Sequence, residues 1–494
     1  MPQEYFYALG TQYNLASADS SLHSSFLPLV PGFHAKNSFE PDSQLTLHFN
    51  KHLKIHDALF NQHLISIKQQ KEKVNLFIDP LINFEIGQDL KDASHEKLFN
   101  NTRGIIAGGQ VGRNLYFETM VSENQSSFAS YLDSFALTSK VIPGQGRWKT
   151  FKTNAYDYAF SSGFVAIQAG KHLNIQFGHG KQKIGYGYRS LFLSDNAFNF
   201  PFARFSQQWF KGRLQYTNLY TVFMNPQPVL DHPTLGTEAL YQKKAGSFQY
   251  LSFNPGNRLS LGFFQGLMWA PADGMNRMHL DPGYFNPFIY TNMLRYGLSD
   301  NKHNLLAGAE LNYKLLPTMN VYAQIAADNL KPAYYKASDG MAAQIGFRCF
   351  DVFRIKGLFV QAEFNQSGRA MYRQNIAQYD NPLYYSHYNQ NLSSAFVNGK
   401  ELVFIASYTY RRMAIQAKLN EQHSFQVYTA VPEYRNQFFS GKISYLINPA
   451  YNLHLYLSYS SRLQKFNNFS NSTNTMQVLS FGIKTGLYNL YYDF

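Results

Sequence analysis

Apolar and polar residues alternate one for one over long stretches of this chain. In Asn304–Leu315 the apolar positions are Leu305, Ala307, Ala309, Leu311, Tyr313 and Leu315, against Gly308, Glu310, Asn312 and Lys314. In 358–364, Leu358, Val360, Ala362 and Phe364 oppose Gln361 and Glu363. In 343–349, Ala343, Ile345, Phe347 and Cys349 oppose Gln344 and Arg348, and in 451–461, Leu453, Leu455, Leu457 and Tyr459 oppose Asn452, His454, Ser458 and Ser460. A period of two predicts strands with one apolar and one polar face. Extended over the chain, it predicts eighteen: 74–87, 103–111, 115–124, 156–168, 172–180, 203–210, 213–224, 236–252, 258–269, 304–315, 318–327, 341–349, 355–366, 400–410, 413–430, 436–447, 451–461 and 476–494.

The linkers alternate in length as regularly as the residues alternate in polarity. One set is tight: 112–114, 169–171, 253–257, 316–317 and 448–450. The other is mostly long: 125–155, 181–202, 270–303, 367–399 and 462–475, with 431–435 as a short exception. Short turns on one side and long loops on the other are the asymmetry of outer-membrane barrels, with the short side periplasmic. The expectation is an all-β membrane protein, an antiparallel outer-membrane β-barrel of about 18 strands over 74–494. Residues 1–73 read differently. Phe49, Leu53, His56, Leu59 and Phe60 share a helical face within about 48–62, so 1–73 is expected as a periplasmic N-terminal segment with a short helix, a cap or plug of the mouth or a strap on its rim.

The chain closes on GLYNLYYDF, where Tyr488, Leu490, Tyr492 and Phe494 fall on one face and Asn489 and Asp493 on the other. These four are expected to face lipid in a C-terminal membrane-insertion strand, although Leu479, Phe481 and Ile483 sit in the opposite register, with a bulge at Gly486 as the expected correction.

Composition narrows the class. Aromatics reach 17% and charged residues only 15%, against a typical value of about 25%, and mean hydropathy is −0.33. No apolar run approaches the ~18 residues of a spanning helix. The single Cys349 excludes an internal disulfide framework. The net charge of +13 comes from scattered Lys and Arg, densest in Lys68–Lys73, which argues against nucleic acid and suits anionic lipid headgroups or acidic glycans. Met1-Pro2-Gln3-Glu4 is not a secretory signal, so the numbering is expected to start on a processed form.

Candidate chemistry is sparse. Gly178-His179-Gly180-Lys181 lacks the following Ser/Thr and helix of a phosphate loop, and Gly185-Tyr186-Gly187 does not complete a dinucleotide fingerprint. His179, Arg189, Asp195 and Arg204 form a candidate polar cluster in the lumen, able to bind an anion or to hold a large loop folded there. His172, Ser161 and Ser252 are of types used by outer-membrane hydrolases, but no nucleophile–base–orienter set stands out. The expectation is no catalytic, metal or cofactor site. In the long loops Tyr284, Phe285, Tyr384, Tyr385 and Tyr388 are candidate external contacts, suited to sugar stacking, to protein contact, or simply to building stable loops.

Three segments, GHGKQKIGYGYRSLFLSDNAFNFPFARF, FNPFIYTNMLRYGLSDNKHNLLAGAELNYKL and HYNQNLSSAFVNGKELVFIASYTYRR, together with Ala58–Lys68, resemble the RemB group of Bacteroidota gliding-motility barrels, itself similar to the capsule-assembly protein Wzi. The resemblance spans about residue 20 to the end. It implies an eighteen-stranded barrel with helical N-terminal material and a non-enzymatic role at the cell surface. The implied partners are outer-membrane lipid and other secretion or motility proteins, type 9 secretion among them. The Wzi side implies surface polysaccharide instead.

Overall fold

The computed structural model describes residues 22–29, 54–69, 71–95, 97–152, 154–228, 241–270, 282–298, 303–328, 336–372, 383–425, 433–467 and 472–494. Eighteen antiparallel strands close into a barrel. They are β1 (Val74–Asp89), β2 (Lys97–Val111), β3 (Leu115–Ser127), β4 (Tyr156–Ala169), β5 (Leu173–Gly180), β6 (Phe200–Trp209), β7 (Leu214–Pro228), β8 (Tyr241–Phe253), β9 (Leu259–Trp269), β10 (His303–Leu316), β11 (Met319–Ala327), β12 (Met341–Phe350), β13 (Leu358–Ser367), β14 (Gly399–Tyr410), β15 (Met413–Ser424), β16 (Tyr434–Asn448), β17 (Leu453–Phe466) and β18 (Thr473–Lys484). Each strand pairs with the next, and β18 closes on β1 from Val478↔Asp89 to Lys484↔Asn83. Every predicted strand overlaps one of these. The predicted stretches 236–240 and 426–430 lie outside the described residues, as do 1–21 and 30–53 of the expected N-terminal segment.

The alternation places its apolar residues outward. Ile86, Ile105, Ile325 and Ile345 are each more than half exposed on the outer wall, alongside Phe177 and Phe481. So much apolar surface is unstable in water and stable in hydrocarbon, which makes this an outer-membrane barrel. The inward positions do not line a wet channel. Phe192, Phe200, Phe223, Phe248, Phe264, Leu306 and Leu392 form a buried cluster inside the barrel with Phe26, Tyr385 and Tyr372. The core of the molecule is its lumen.

Material from both ends of the chain enters that space. Residues 22–29 lie inside, where Phe26–Leu27 pairs with Lys183–Ile184. The helix α1 (Lys54–Phe60) instead packs on periplasmic turns: Arg412 donates to the Phe60 carbonyl at 3.0 Å, and Asn448 donates to the Ala58 and Gln62 carbonyls at 2.9 Å each. Strand Ile65–Gln69 then pairs with the start of β1, Ile65↔Ile78 through Gln69↔Val74, on the edge that β18 leaves open by ending early.

The expected C-terminal insertion strand is overturned. β18 stops at Lys484, Thr485 bonds back to Ile82, and residues 485–494 run up the inside of the barrel to Arg462, which donates to the Phe494 carbonyl at 2.9 Å. The lipid-facing residues of β18 are Leu479 and Phe481, in the register that the sequence set apart from Tyr488 and Tyr492. No bulge is needed, because the two stretches belong to different environments.

Candidate functional site: a filled lumen

Residues 181–199, the connection between β5 and β6, fold inward because the wall offers side-chain partners for their backbone. Glu363 on β13 accepts from the amides of Tyr188 (2.6 Å) and Arg189 (3.0 Å). Gln324 on β11 accepts from the Leu191 amide at 2.9 Å, and Gln344 on β12 donates to the Arg189 carbonyl at 3.2 Å. A buried loop without such partners would leave backbone groups unsatisfied. Gly185, at φ +139°, and Gly187 press so closely on Gln324, Gln344 and Glu363 that a Cβ would collide. The two glycines of the incomplete dinucleotide pattern are contacts between loop and wall.

The 485–494 segment seals this loop against the opposite wall. Arg189 is almost fully buried. Its Nη2 lies 2.8 Å from Glu401 and 3.1 Å from Asp493, and Lys418 Nζ lies 2.9 Å from the other Asp493 oxygen. Tyr188 donates to Asp493 at 2.8 Å. Burial alone would lower the Arg189 pKa, but Asp493 and Glu401 raise it well above its ordinary value. Burial would likewise raise Asp493, yet Arg189 and Lys418 hold it below the usual carboxylate range. Arg189 and Asp493 therefore stay charged together, their ion pair buried between loop and wall.

Asp195 makes a second tie to the same segment, accepting from Asn489 at 2.6 Å and Tyr491 at 2.7 Å. On its other face, Tyr488 stacks on Phe160 at 3.5 Å between centroids and accepts from Gln145 at 2.7 Å. The helix α2 (Ser130–Ser139) receives the end: Tyr131 donates to the Tyr492 carbonyl at 2.5 Å, and the Phe494 ring packs against Tyr131 and Phe135. Leu490 faces Gly144. The alternation read in the last nine residues is real, but both of its faces meet protein.

The predicted polar cluster separates into distinct ties. Arg189 and Asp195 grip 485–494 at different points. Arg204, fully buried on β6, donates to the Pro28 carbonyl (3.0 Å) and Gln182 (2.9 Å) and lies over the Phe26 ring, fastening residues 22–29. His179 does not join them; it shares the outward register of Phe177 and contacts the Ser161 carbonyl at 3.3 Å. Glu363, Glu401 and Lys418, which the sequence reading did not single out, do most of the holding. Their signal was present, since Glu363 falls on the polar face of its strand.

The candidate loop contacts divide as well. Tyr385 donates to the Phe192 carbonyl at 2.7 Å, and Tyr388 is buried beside Phe198, so both belong to the luminal core rather than to an outer surface. Tyr384 supplies its carbonyl to the buried Lys244 at 2.7 Å. Next to them, burial pushes His387 down to about 3, which keeps it neutral. Tyr284 and Phe285 lie on the outside of the wall, in a strap over 282–298 that contains the short helix α3 (Thr291–Tyr296). Tyr284 stacks on Trp269 at 4.2 Å, and Tyr220 donates to the Phe285 carbonyl at 3.0 Å. The strap covers Gln249 and Gln265, outward-facing amides that would otherwise meet lipid; Gln265 accepts from the Met293 amide at 3.3 Å.

Of the catalytic residue types, Ser252 donates to His23 at 2.7 Å, and His23 Nε2 contacts the Gly212 carbonyl at 2.7 Å. Both side chains are buried against the wall, and the contact fastens residues 22–29. Ser161 and His172 are apart from it, His172 on the carbonyl of Gln208 at 3.0 Å. Among the described residues no group of three metal-ligating side chains converges. A void of about 10 Å³ beside Arg189 and Tyr372 has room for a single water.

No family model and no curated protein sequence matches this chain. Its fold is similar to that of Wzi, an outer-membrane protein involved in group 1 capsule assembly in Escherichia coli and described as a carbohydrate-binding β-barrel. The TM-score is 0.57 at 13% identity, over 97% of this chain and 98% of that one. Pseudomonas aeruginosa OccK2 in complex with glucuronate matches at TM-score 0.46 and 9% identity, over 83% and 98%. Acinetobacter baumannii OccAB2 matches at 0.44 and 11%, over 82% and 97%.

Proposed function

We propose that this barrel is a non-enzymatic surface anchor that binds polysaccharide at the outer face of the membrane and conducts no solute. The filled lumen carries the reading. Two chain segments and the loops 181–199 and 383–398 occupy the space that a diffusion porin keeps open, and charged groups on the inner wall are engaged by them. What remains for function is the surface the loops present. The likeness to Wzi supports a polysaccharide as the partner. The test is binding of the purified barrel to polysaccharide from its own cells, together with planar-bilayer conductance. Retention of polysaccharide with no conductance is expected, and steady channel conductance with no retention sinks the proposal.

A second reading is a docking component of gliding or type 9 secretion machinery, favoured by the resemblance of the segments around 178–205, 285–315 and 387–412 to the RemB group. Affinity purification from gently solubilised outer membranes separates the two: motility or secretion proteins at near-stoichiometric levels favour docking, and the barrel alone with polysaccharide favours the anchor.

A further inference from the structure

The short periplasmic turns and the hairpin turn before β1 cover 71–73, 112–114, 170–172, 210–213, 254–258, 317–318, 351–357, 411–412 and 449–452. These 33 residues contain eleven of the chain's 44 Lys and Arg, against only Glu72 and Asp351, so they carry a net +9 of its +13. Ten of the eleven are exposed: Arg412 alone is buried, on α1. The charge that looked scattered along the sequence is a ring in space.

Bulky apolar side chains stand in the same turns. Phe353 is 90% exposed and Phe210 74%, with Ile355, Trp209 and Tyr410 exposed beside them. Phe210, Lys211, Phe353, Arg354 and Arg411 all occupy the left-handed region, with φ from +51° to +65°, where glycine or asparagine would be the unstrained choice. Internal packing gives no reason for such residues at such positions. A water-soluble polyanion would satisfy the cations and leave the rings in water. A lipid surface satisfies both, with rings at the acyl boundary and cations at the phosphates.

We propose that this ring is a binding site for anionic phospholipid headgroups of the periplasmic leaflet, formed chiefly by Phe210-Lys211-Gly212-Arg213 and Phe353-Arg354-Ile355-Lys356. It is independent of what the extracellular loops bind. The test places the barrel in nanodiscs of equal phosphatidylcholine and phosphatidylglycerol, then counts by native mass spectrometry the lipids that stay bound. Phosphatidylglycerol is expected to be enriched. A variant with Lys211→Gln, Arg213→Gln, Arg354→Gln and Lys356→Gln should lose that enrichment by at least about tenfold. A charge-conserving variant (Lys211→Arg, Arg213→Lys, Arg354→Lys, Lys356→Arg) should keep it, which excludes a folding defect. Equal retention of the two lipids, undiminished enrichment in the neutral variant, or charge-dependent capture by purified peptidoglycan sacculi without lipid preference would overturn the proposal.

Discussion

Asp493 is fully buried between Arg189 and Lys418, so its removal leaves a buried cation short of a partner. Asp493→Ala should therefore destabilise the fold by about 3–5 kcal/mol, and Asp493→Ala with Arg189→Met by clearly less, as read from unfolding in denaturant. The sequence could not show this pairing. Asp493 was assigned correctly to the face opposite Tyr488 and Tyr492, but alternation states only that two faces differ. It does not say that the polar one meets Arg189, some 300 residues away. His387 gives a second residue-scale test. Its folded pKa, about 3, lies below the unfolded value near 6.5, so the unfolded chain takes up a proton first as pH falls. Stability should be fully present above about pH 6.5 and decline between there and about pH 3, with Asp493 adding to the loss below about pH 4. His387→Gln should flatten the upper part of that decline in a pH series of melting temperatures.

At the scale of elements, eighteen strands were legible because each runs over eight or more residues, and a barrel wall leaves both faces in consistent environments. The inward folding of 181–199 was legible only as one of two readings of its polar cluster, and that of 383–398 was not legible, since a loop's destination depends on partners spread over several strands. Two changes test these elements. A chain stopped after Lys484 keeps every wall strand and the β18–β1 seam but loses the luminal segment. It should still show the heat-modifiable mobility of a folded barrel, and it should conduct ions where the full chain does not. Gly187→Ala places a methyl group against Gln344 and Glu363, and should loosen 181–199 without opening the wall. Limited proteolysis from outside the cell would detect this as a new cleavage within that loop.

For the whole molecule, the outer wall follows the bilayer's rules and the interior follows those of a soluble core. Ile345 lies on the lipid face at mid-strand, and Ile345→Arg should cost about 2–4 kcal/mol in a bilayer. Phe264→Ala, which leaves a cavity against Phe192 and Phe248 inside the lumen, should cost about 3–5 kcal/mol in the same unfolding assay.

The close packing inside the wall also has a mechanical consequence. A hollow tube yields to a sideways load by flattening, because its cross-section can change shape at nearly constant perimeter. This one would have to compress side chains already packed like a solid. A pull on its outer loops therefore passes through wall and interior together to the periplasmic turns, and the barrel stands in the membrane as a stiff post.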